Sequence, residues 1–198
     1  AKPVTLIGAG AVGSQVAIML AKIGVPKITV HDGDAVESHN ISMSAYHLDD
    51  LGRYKVEALQ SRVMEHSGLT IKALNKMYAG EPLTGTVVAC VDTMEARSLI
   101  WKEVKKNPLV DIILDTRVAN ELISVFAIAP CEEEEIAYYE HFLYPTEKAV
   151  RPTCGLHGII HVGSMAAAAV CANLTNWWRN GKKKLHHLQL CKELACVE

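Results

Sequence analysis

Three glycines, Gly8, Gly10 and Gly13, stand in the order Gly-x-Gly-x-x-Gly directly after the apolar run Val4 to Ile7. Backbone N–H groups of such a loop, at the start of a helix, point at a phosphate, and side chains there would block its approach. Asp32 closes the next β-branched run, where a carboxylate accepts hydrogen bonds from ribose hydroxyls. Together these features point to a bound nucleotide; the alternative is a glycine turn that merely lets helix and strand pack. His157 and His161 lie one helical turn apart, but no third ligand accompanies them, so they read as core or interface histidines.

The elements that must position these residues follow from periodicity. Val4 to Ile7 predicts a strand, Ala11 to Ile23 a helix closed by Gly24, and Lys27 to His31 a second strand, a βαβ unit around the glycine loop. Residues 35 to 51 are polar and irregular, a long connection of the kind that carries function. Tyr54 to His66 fits an amphipathic helix, Leu69 to Leu74 a third strand, Thr86 to Val91 a buried strand, Met94 to Lys106 a helix and Asp111 to Leu114 a further strand. Leu122 to Ile128 follows too closely for a helical crossover and is expected antiparallel. Residues 131 to 151 have no clean period and read as a surface excursion, with Glu132 to Glu135 facing solvent. A last helix from Gly155 to Trp178 leads through Lys182 to Lys184, a solvated turn, to a strand at Leu185 to Leu190. The expected fold is α/β: a Rossmann-like, mainly parallel sheet flanked by helices, with antiparallel strands added at its C-terminal side, forming one domain over residues 1–198.

Composition narrows the class. The chain has 198 residues, 49% of them hydrophobic, enough for one full core, and a formal net charge of -2 offers no field for nucleic acid or an anionic membrane. Six cysteines are scattered without a C-x-x-C pair or a signal-peptide pattern, so they read as reduced thiols in a cytoplasmic protein without structural zinc. The most apolar stretch, Gly158 to Leu174, is rich in alanine and interrupted by His161, Ser164 and Asn173, which suits a packed helix rather than a membrane span.

Residues 32 to 40 read Asp32-Gly33-Asp34-Ala35-Val36-Glu37-Ser38-His39-Asn40, and Asp50-Leu51-Gly52-Arg53-Tyr54-Lys55 heads a helix. The apolar strand that follows ends at Asp92, with Arg97 five residues on. This ordered set resembles the ubiquitin-activating-enzyme-like (ThiF/MoeB) superfamily in its minimal adenylation-domain form. That family's pattern runs D-x-D-x-V-E-x-S-N-L-x-R-Q, then D-x-G-x-x-K, then T-D-N with an arginine beyond. The resemblance covers nearly the whole chain. It implies that ATP and Mg2+ bind and that the C-terminal glycine carboxylate of a ubiquitin-like or sulfur-carrier protein is adenylated, with release of pyrophosphate.

By the same resemblance Gly8, Gly10, Gly13, Asp32, Asp34, Asn40, Lys55 and Arg97 bind the nucleotide. Asp32 holds the ribose, Lys55 contacts phosphate oxygens, Asp92 ligates magnesium, and Arg97 is either a phosphate ligand or a structural ion-pair partner. Asp92 also suits the N-cap of the helix after it. Cys154, in Arg151-Pro152-Thr153-Cys154-Gly155, corresponds to the cysteine that receives the acyl group or sulfur in some members; a helix N-terminus and Arg151 would favour its thiolate. The chemistry is coherent, because a carboxylate attacking an α-phosphate brings anion to anion and needs amides, a cation and a metal rather than a strong base.

The pattern departs at His39, where the family has serine, and at Met43 and Ser44, where it has arginine and glutamine. Losing that arginine removes a bidentate phosphate contact worth about 2 kcal/mol; Arg53 and Arg117 are candidates to replace it. The alternatives are a non-catalytic partner subunit of such an activating enzyme, a tRNA-modifying relative, and an NAD-dependent oxidoreductase that would leave Lys55 and Asp92 idle. A homodimer, or a heterodimer with a related subunit, is the assembly the resemblance implies.

Overall fold

The computed structural model describes residues 2–119, 122–144 and 160–190. Seven strands form one sheet in the order β3-β2-β1-β4-β5-β6-β7. The first half runs β1 (Val4–Ile7), α1 (Ala11–Ile23), β2 (Ile28–His31), α2 (Ser38–Ile41), a 3-10 turn (Leu48–Asp50), α3 (Lys55–Ser67) and β3 (Lys72–Leu74). The second half runs β4 (Gly85–Ala89), α4 (Met94–Val104), β5 (Val110–Ala119), β6 (Leu122–Ile128), α5 (Glu133–Glu140), α6 (Ile160–Asn180) and β7 (His186–Leu190). Strands β1 to β5 are parallel, while β6 and β7 add on antiparallel.

Both faces of this sheet are covered, which is why its central strands are continuous apolar runs rather than alternating ones. One core lies under α1, α3 and α6, where Leu6, Val30, Val88, Ile112 and Leu114 meet Val16, Leu20, Leu59, Ala166 and Val170. The other lies under α4 and α5, where Ile7, Val87, Ala89 and Ile113 meet Ile100, Trp101, Val104, Ile136 and Tyr139. Gly163 of α6 packs beside the Ala11 carbonyl at the start of α1, so the alanine-rich helix closes directly over the glycine-loop helix. No helix among the described residues is long and apolar enough to cross a membrane.

Four expectations need correction. The excursion over residues 131 to 151 contains α5, an eight-residue helix whose glutamates in the first turn suit the positive helix end, while Ile136 and Tyr139, three apart, are buried on one face. Glu135 is not simply solvated, since it accepts from the Ala129 amide at 2.6 Å and from Lys183 at 2.5 Å. Lys183 likewise lies over the Trp177 ring rather than in open solvent. The strand expected at 111 to 114 extends to Ala119, because its far half pairs with β6 instead of ending at the sheet's carboxyl edge.

The long connection between β2 and α3 is held by a buried carboxylate. Asp50 accepts from Arg62 Nε at 2.8 Å and Nη2 at 3.0 Å, from Arg53 Nη1 at 3.0 Å and from the His47 amide at 2.9 Å. Burial opposes its charge, but the hydrogen bonds from Arg62 and His47 and the charges of Arg62 and Arg53 outweigh that, and its pKa falls below the ordinary carboxylate value. Removing one partner strands the other's charge, so Arg62→Ala should lower unfolding stability by about 3 kcal/mol in urea titration. The Asp50 contribution is complete at neutral pH and is lost as pH falls through and below about 4. The stability gap between wild type and Asp50→Asn should therefore narrow on acidification; a gap that widens would contradict the assignment.

Candidate active site

The glycine loop emerges from β1 with each glycine serving a distinct purpose. Gly8 has φ +94, and a Cβ there would overlap the Cys90 carbonyl. At Gly13 a Cβ would overlap the Gly8 carbonyl, so the helix can close onto the strand only without a side chain. Gly10 differs: a Cβ there would meet no atom of the described residues within 4 Å. Packing asks nothing of Gly10, and its bare backbone faces open space at the N-terminus of α1.

Asp32 is buried and fixes this loop from the neighbouring strand. Its Oδ2 accepts from the Ala9 amide at 2.7 Å and its Oδ1 from the Asp34 amide at 2.9 Å. Asp34 in turn accepts the Lys55 amide on its carbonyl at 2.8 Å and the Lys55 ammonium on its carboxylate at 2.7 Å. Loop, Asp32, Asp34 and Lys55 thus form one hydrogen-bonded series. Lys55 is nine-tenths buried, whereas the Asp34 side chain is 51% exposed.

Asn40 lies beside this series in α2, where its Oδ1 accepts from the Glu37 amide at 2.9 Å in a capping box. Its carbonyl accepts from Ser44 Oγ at 2.5 Å. The segment then returns to the glycine loop: the Ala45 amide donates to Ser14 Oγ at 3.1 Å, and the Tyr46 hydroxyl donates to the Ala9 carbonyl at 2.6 Å. Burial raises the Tyr46 pKa, so its hydroxyl stays a donor. Tyr46 and Ser14 were not singled out in the sequence, because their partners lie 37 and 31 residues away and carry no local signal.

Asp92 follows β4, which pairs with β1 so that Ala89 stands opposite Ile7 at the level of the loop. It is exposed, and its side chain has no partner among the described residues. The N-cap of α4 is Thr93, whose hydroxyl accepts from the Ala96 amide at 3.2 Å, so Asp92 is not the cap. Arg97 is turned inward. Its guanidinium is buried and bonds Asp115, the Thr116 carbonyl and the Val91 carbonyl, the ion-pair role rather than an open phosphate-facing one. Arg53 is tied to Asp50 and Ser61. Cys154, Arg151 and His157 lie outside the described residues. Of the described thiols, half-buried Cys90 and buried Cys171 are pushed up to about 12 by desolvation, and Cys131 is exposed. No group of three or more His, Cys, Asp or Glu side chains that could hold a metal occurs among the described residues.

A Gly-x-Gly-x-x-Gly loop, a carboxylate that binds it, a lysine at the head of α3 and an aspartate after β4 occur here in one sheet edge and in one chain order. The sequence matches the ThiF family over residues 1–190. The chain belongs to the ThiF family. It is 26% identical to the ubiquitin-like modifier-activating enzyme 5 of Culex quinquefasciatus, over 75% of this chain and 38% of that protein. Against the enzyme of the same name from Drosophila virilis it is 31% identical, over 54% of this chain and 32% of the other. The chain therefore spans under two-fifths of the length of these curated relatives. Its fold is similar to that of Escherichia coli MccB crystallised with ATP, with a TM-score of 0.71 and 16% identity, covering 96% of this chain and 64% of that one. PaaA is similar to the same degree, with a TM-score of 0.71 and 16% identity over the same shares.

The three glycines separate fold from site. Gly13→Ala should cost several kcal/mol and lower the Tm by roughly 10 °C, because backbone must move to admit the methyl group. Gly10→Ala should leave the Tm within about 2 °C of wild type. Equal losses at both positions in thermal unfolding would show that Gly10 is a packing residue after all.

Proposed function

We propose that this chain is an ATP- and magnesium-dependent adenylation domain acting on the C-terminal carboxylate of a ubiquitin-like or sulfur-carrier protein, or of a peptide, with release of pyrophosphate. The observation that carries the reading is the hydrogen-bonded series from the Ala9 amide through Asp32 and Asp34 to Lys55, set beside the open backbone of Gly10. A nicotinamide enzyme would use the first half of that series and have no use for the second. Family membership supports the same choice, as do the activating-enzyme relatives and the likeness to MccB, whose crystal structures include ATP and MccA.

Each residue's part follows from its chemistry. The amides of the glycine loop and of the first turn of α1 would receive phosphate oxygens, with the helix dipole reinforcing them. Asp32, already fixed by two amides, keeps acceptor capacity for a ribose hydroxyl. Lys55 would exchange Asp34 for a phosphate oxygen, and Asn40 presents an amide from the same rim. Asp92 fits a magnesium ion by donor type, since that ion takes one or two protein carboxylates and completes its shell with water and phosphate oxygens. Bound there, the ion would neutralise charge on the triphosphate as the substrate carboxylate approaches. In the same reaction the carboxylate oxygen bonds to the α-phosphorus as the bond to pyrophosphate breaks.

Transfer to a cysteine falls to Cys154 by its place in the family pattern; the Cys90 and Cys171 thiols, raised by desolvation, are too weakly acidic to serve. A second reading, a non-catalytic partner in a homodimer or heterodimer, is favoured by Met43 in place of the family arginine and by the internal engagement of Arg97. Exchange of labelled pyrophosphate into ATP, with magnesium and candidate Gly-Gly-ending carriers, distinguishes the two. Wild type should exchange, and Lys55→Ala and Asp92→Ala should each reduce the rate by about a hundredfold or more. Exchange that survives Asp92→Ala removes the metal assignment; absence of exchange with every carrier favours the partner subunit.

A further inference from the structure

The hairpin of β5 and β6 carries an arginine that the family pattern does not explain. Asp115 stands opposite Ala89, the last residue of β4, and Arg117 lies two residues farther along β5, about 7 Å beyond the carboxyl edge of the parallel sheet. Contacts link it to the glycine loop: the Gly8 position abuts the Cys90 carbonyl, the Cys90 amide donates to Ile7, and Thr116 Oγ1 donates to the Ala89 carbonyl. The same Asp115 that Arg97 grips also accepts from Arg117 Nε at 2.8 Å and from the Tyr139 hydroxyl at 3.0 Å.

Two guanidinium groups therefore share one carboxylate, leaving a surplus positive charge. Arg117 Nη1 donates to the Phe142 carbonyl at 2.7 Å, but Nη2 is buried without a hydrogen-bond partner among the described residues. The groups packed against it from β6, β7 and α5 supply no anion among the described residues, although the guanidinium lies over the Phe126 ring at 4.8 Å and the Tyr139 ring at 5.7 Å. Ser124 stands directly opposite Arg117 and hydrogen-bonds His186 at 2.9 Å. His186, stacked on Phe126, is kept neutral by burial and by the Arg117 charge. Tyr139 holds its proton because burial and Asp115 raise its pKa. Ring faces offset part of the charge but accept no full hydrogen bond; a buried N–H pair left without one is costly, and such a group in a native protein calls for an explanation, of which a ligand that completes it is one.

We propose that Arg117 is the oxyanion anchor of this site, its Nη2 group receiving a carboxylate or phosphate oxygen that arrives over the carboxyl edge, in place of the arginine replaced by Met43. The inference rests on the adenylation reading for its role but not for its test. In wild-type protein with 15N-labelled arginine, the Arg117 side-chain resonances are followed by NMR on titration with Mg-ATP, with N-acetyl-glycylglycine and with the amide of that dipeptide. A shift with the free acid but not the amide supports a carboxylate source, and a shift with Mg-ATP supports a phosphate source. Arg117→Gln and Arg117→Lys should weaken the ligand that shifts it by about tenfold or more. The lysine variant keeps a positive charge beside Asp115 and guards against a folding defect. If none of the three compounds moves the Arg117 resonances, the inference is overturned. A Gly10 amide that shifts with Mg-ATP in a parallel, uniformly 15N-labelled sample would show that nucleotide binding stands without it.

Discussion

The Asp32 carboxylate is the point on which the site depends, because each of its oxygens holds a different piece of backbone. One accepts from Ala9 in the glycine loop, the other from Asp34 in the turn beyond β2. A loop bonded only within itself would be free to sag, and the outward-facing amides that make such a loop useful would lose their common aim. Holding it from the adjacent strand makes the loop as rigid as the sheet. The parallel register of β1 with β2, in which Ile7 stands opposite His31, is what brings a residue 23 positions away to this spot. Charge-assisted bonds from amide to carboxylate are about twice as strong as neutral ones, so this single side chain does more to set the loop than its length suggests.

The connection from β2 to α3 solves a related problem by different means. It has little regular structure, so its shape must come from side chains. Tyr46 and Ser14 fasten it to the glycine loop, and Asp50 with Arg62 fastens it to α3. Both ends are therefore anchored to the rim that carries Asn40 and Lys55. Met43 sits between these anchors, partly buried near Gly163 of α6. The replacement of the family's arginine by methionine thus alters the charge of a segment whose position is otherwise well determined.

The parallel half of the fold was legible because its signals are local: apolar runs of strand length, one amphipathic period between them, and glycine at the loop. The motif residues of the candidate site were legible for the same reason, as a spacing. What escaped is long-range. The helix at Glu133–Glu140 shows only two buried positions, Ile136 and Tyr139, too few for a period, and its stability comes from packing against Trp101 and Phe126. Arg97 belonged to the expected nucleotide set by spacing alone, yet its direction is decided by Asp115, 18 residues later and on another strand. Spacing gives the place of a residue along an element, while the bearing of a long side chain depends on which partner the fold sets beside it.

That distinction matters for how an anion would be met here. Lys55, Arg53 and Arg97 are each already paired, with Asp34, Asp50 and Asp115, so among the described residues these three cations meet a carboxylate along this rim, while Arg117 shares Asp115 and keeps an N–H group without a partner. The pairs are not equivalent. Asp34 is half-exposed, and a carboxylate released from Lys55 can turn into water and recover its hydration at little cost. Asp50 and Asp115 are buried, and freeing either from its arginine would leave an unpaired charge in the interior. Of the three pairs, only Lys55 and Asp34 can therefore open and close as an anion comes and goes. Arg53 and Arg97 remain fixed parts of the frame within which that exchange takes place.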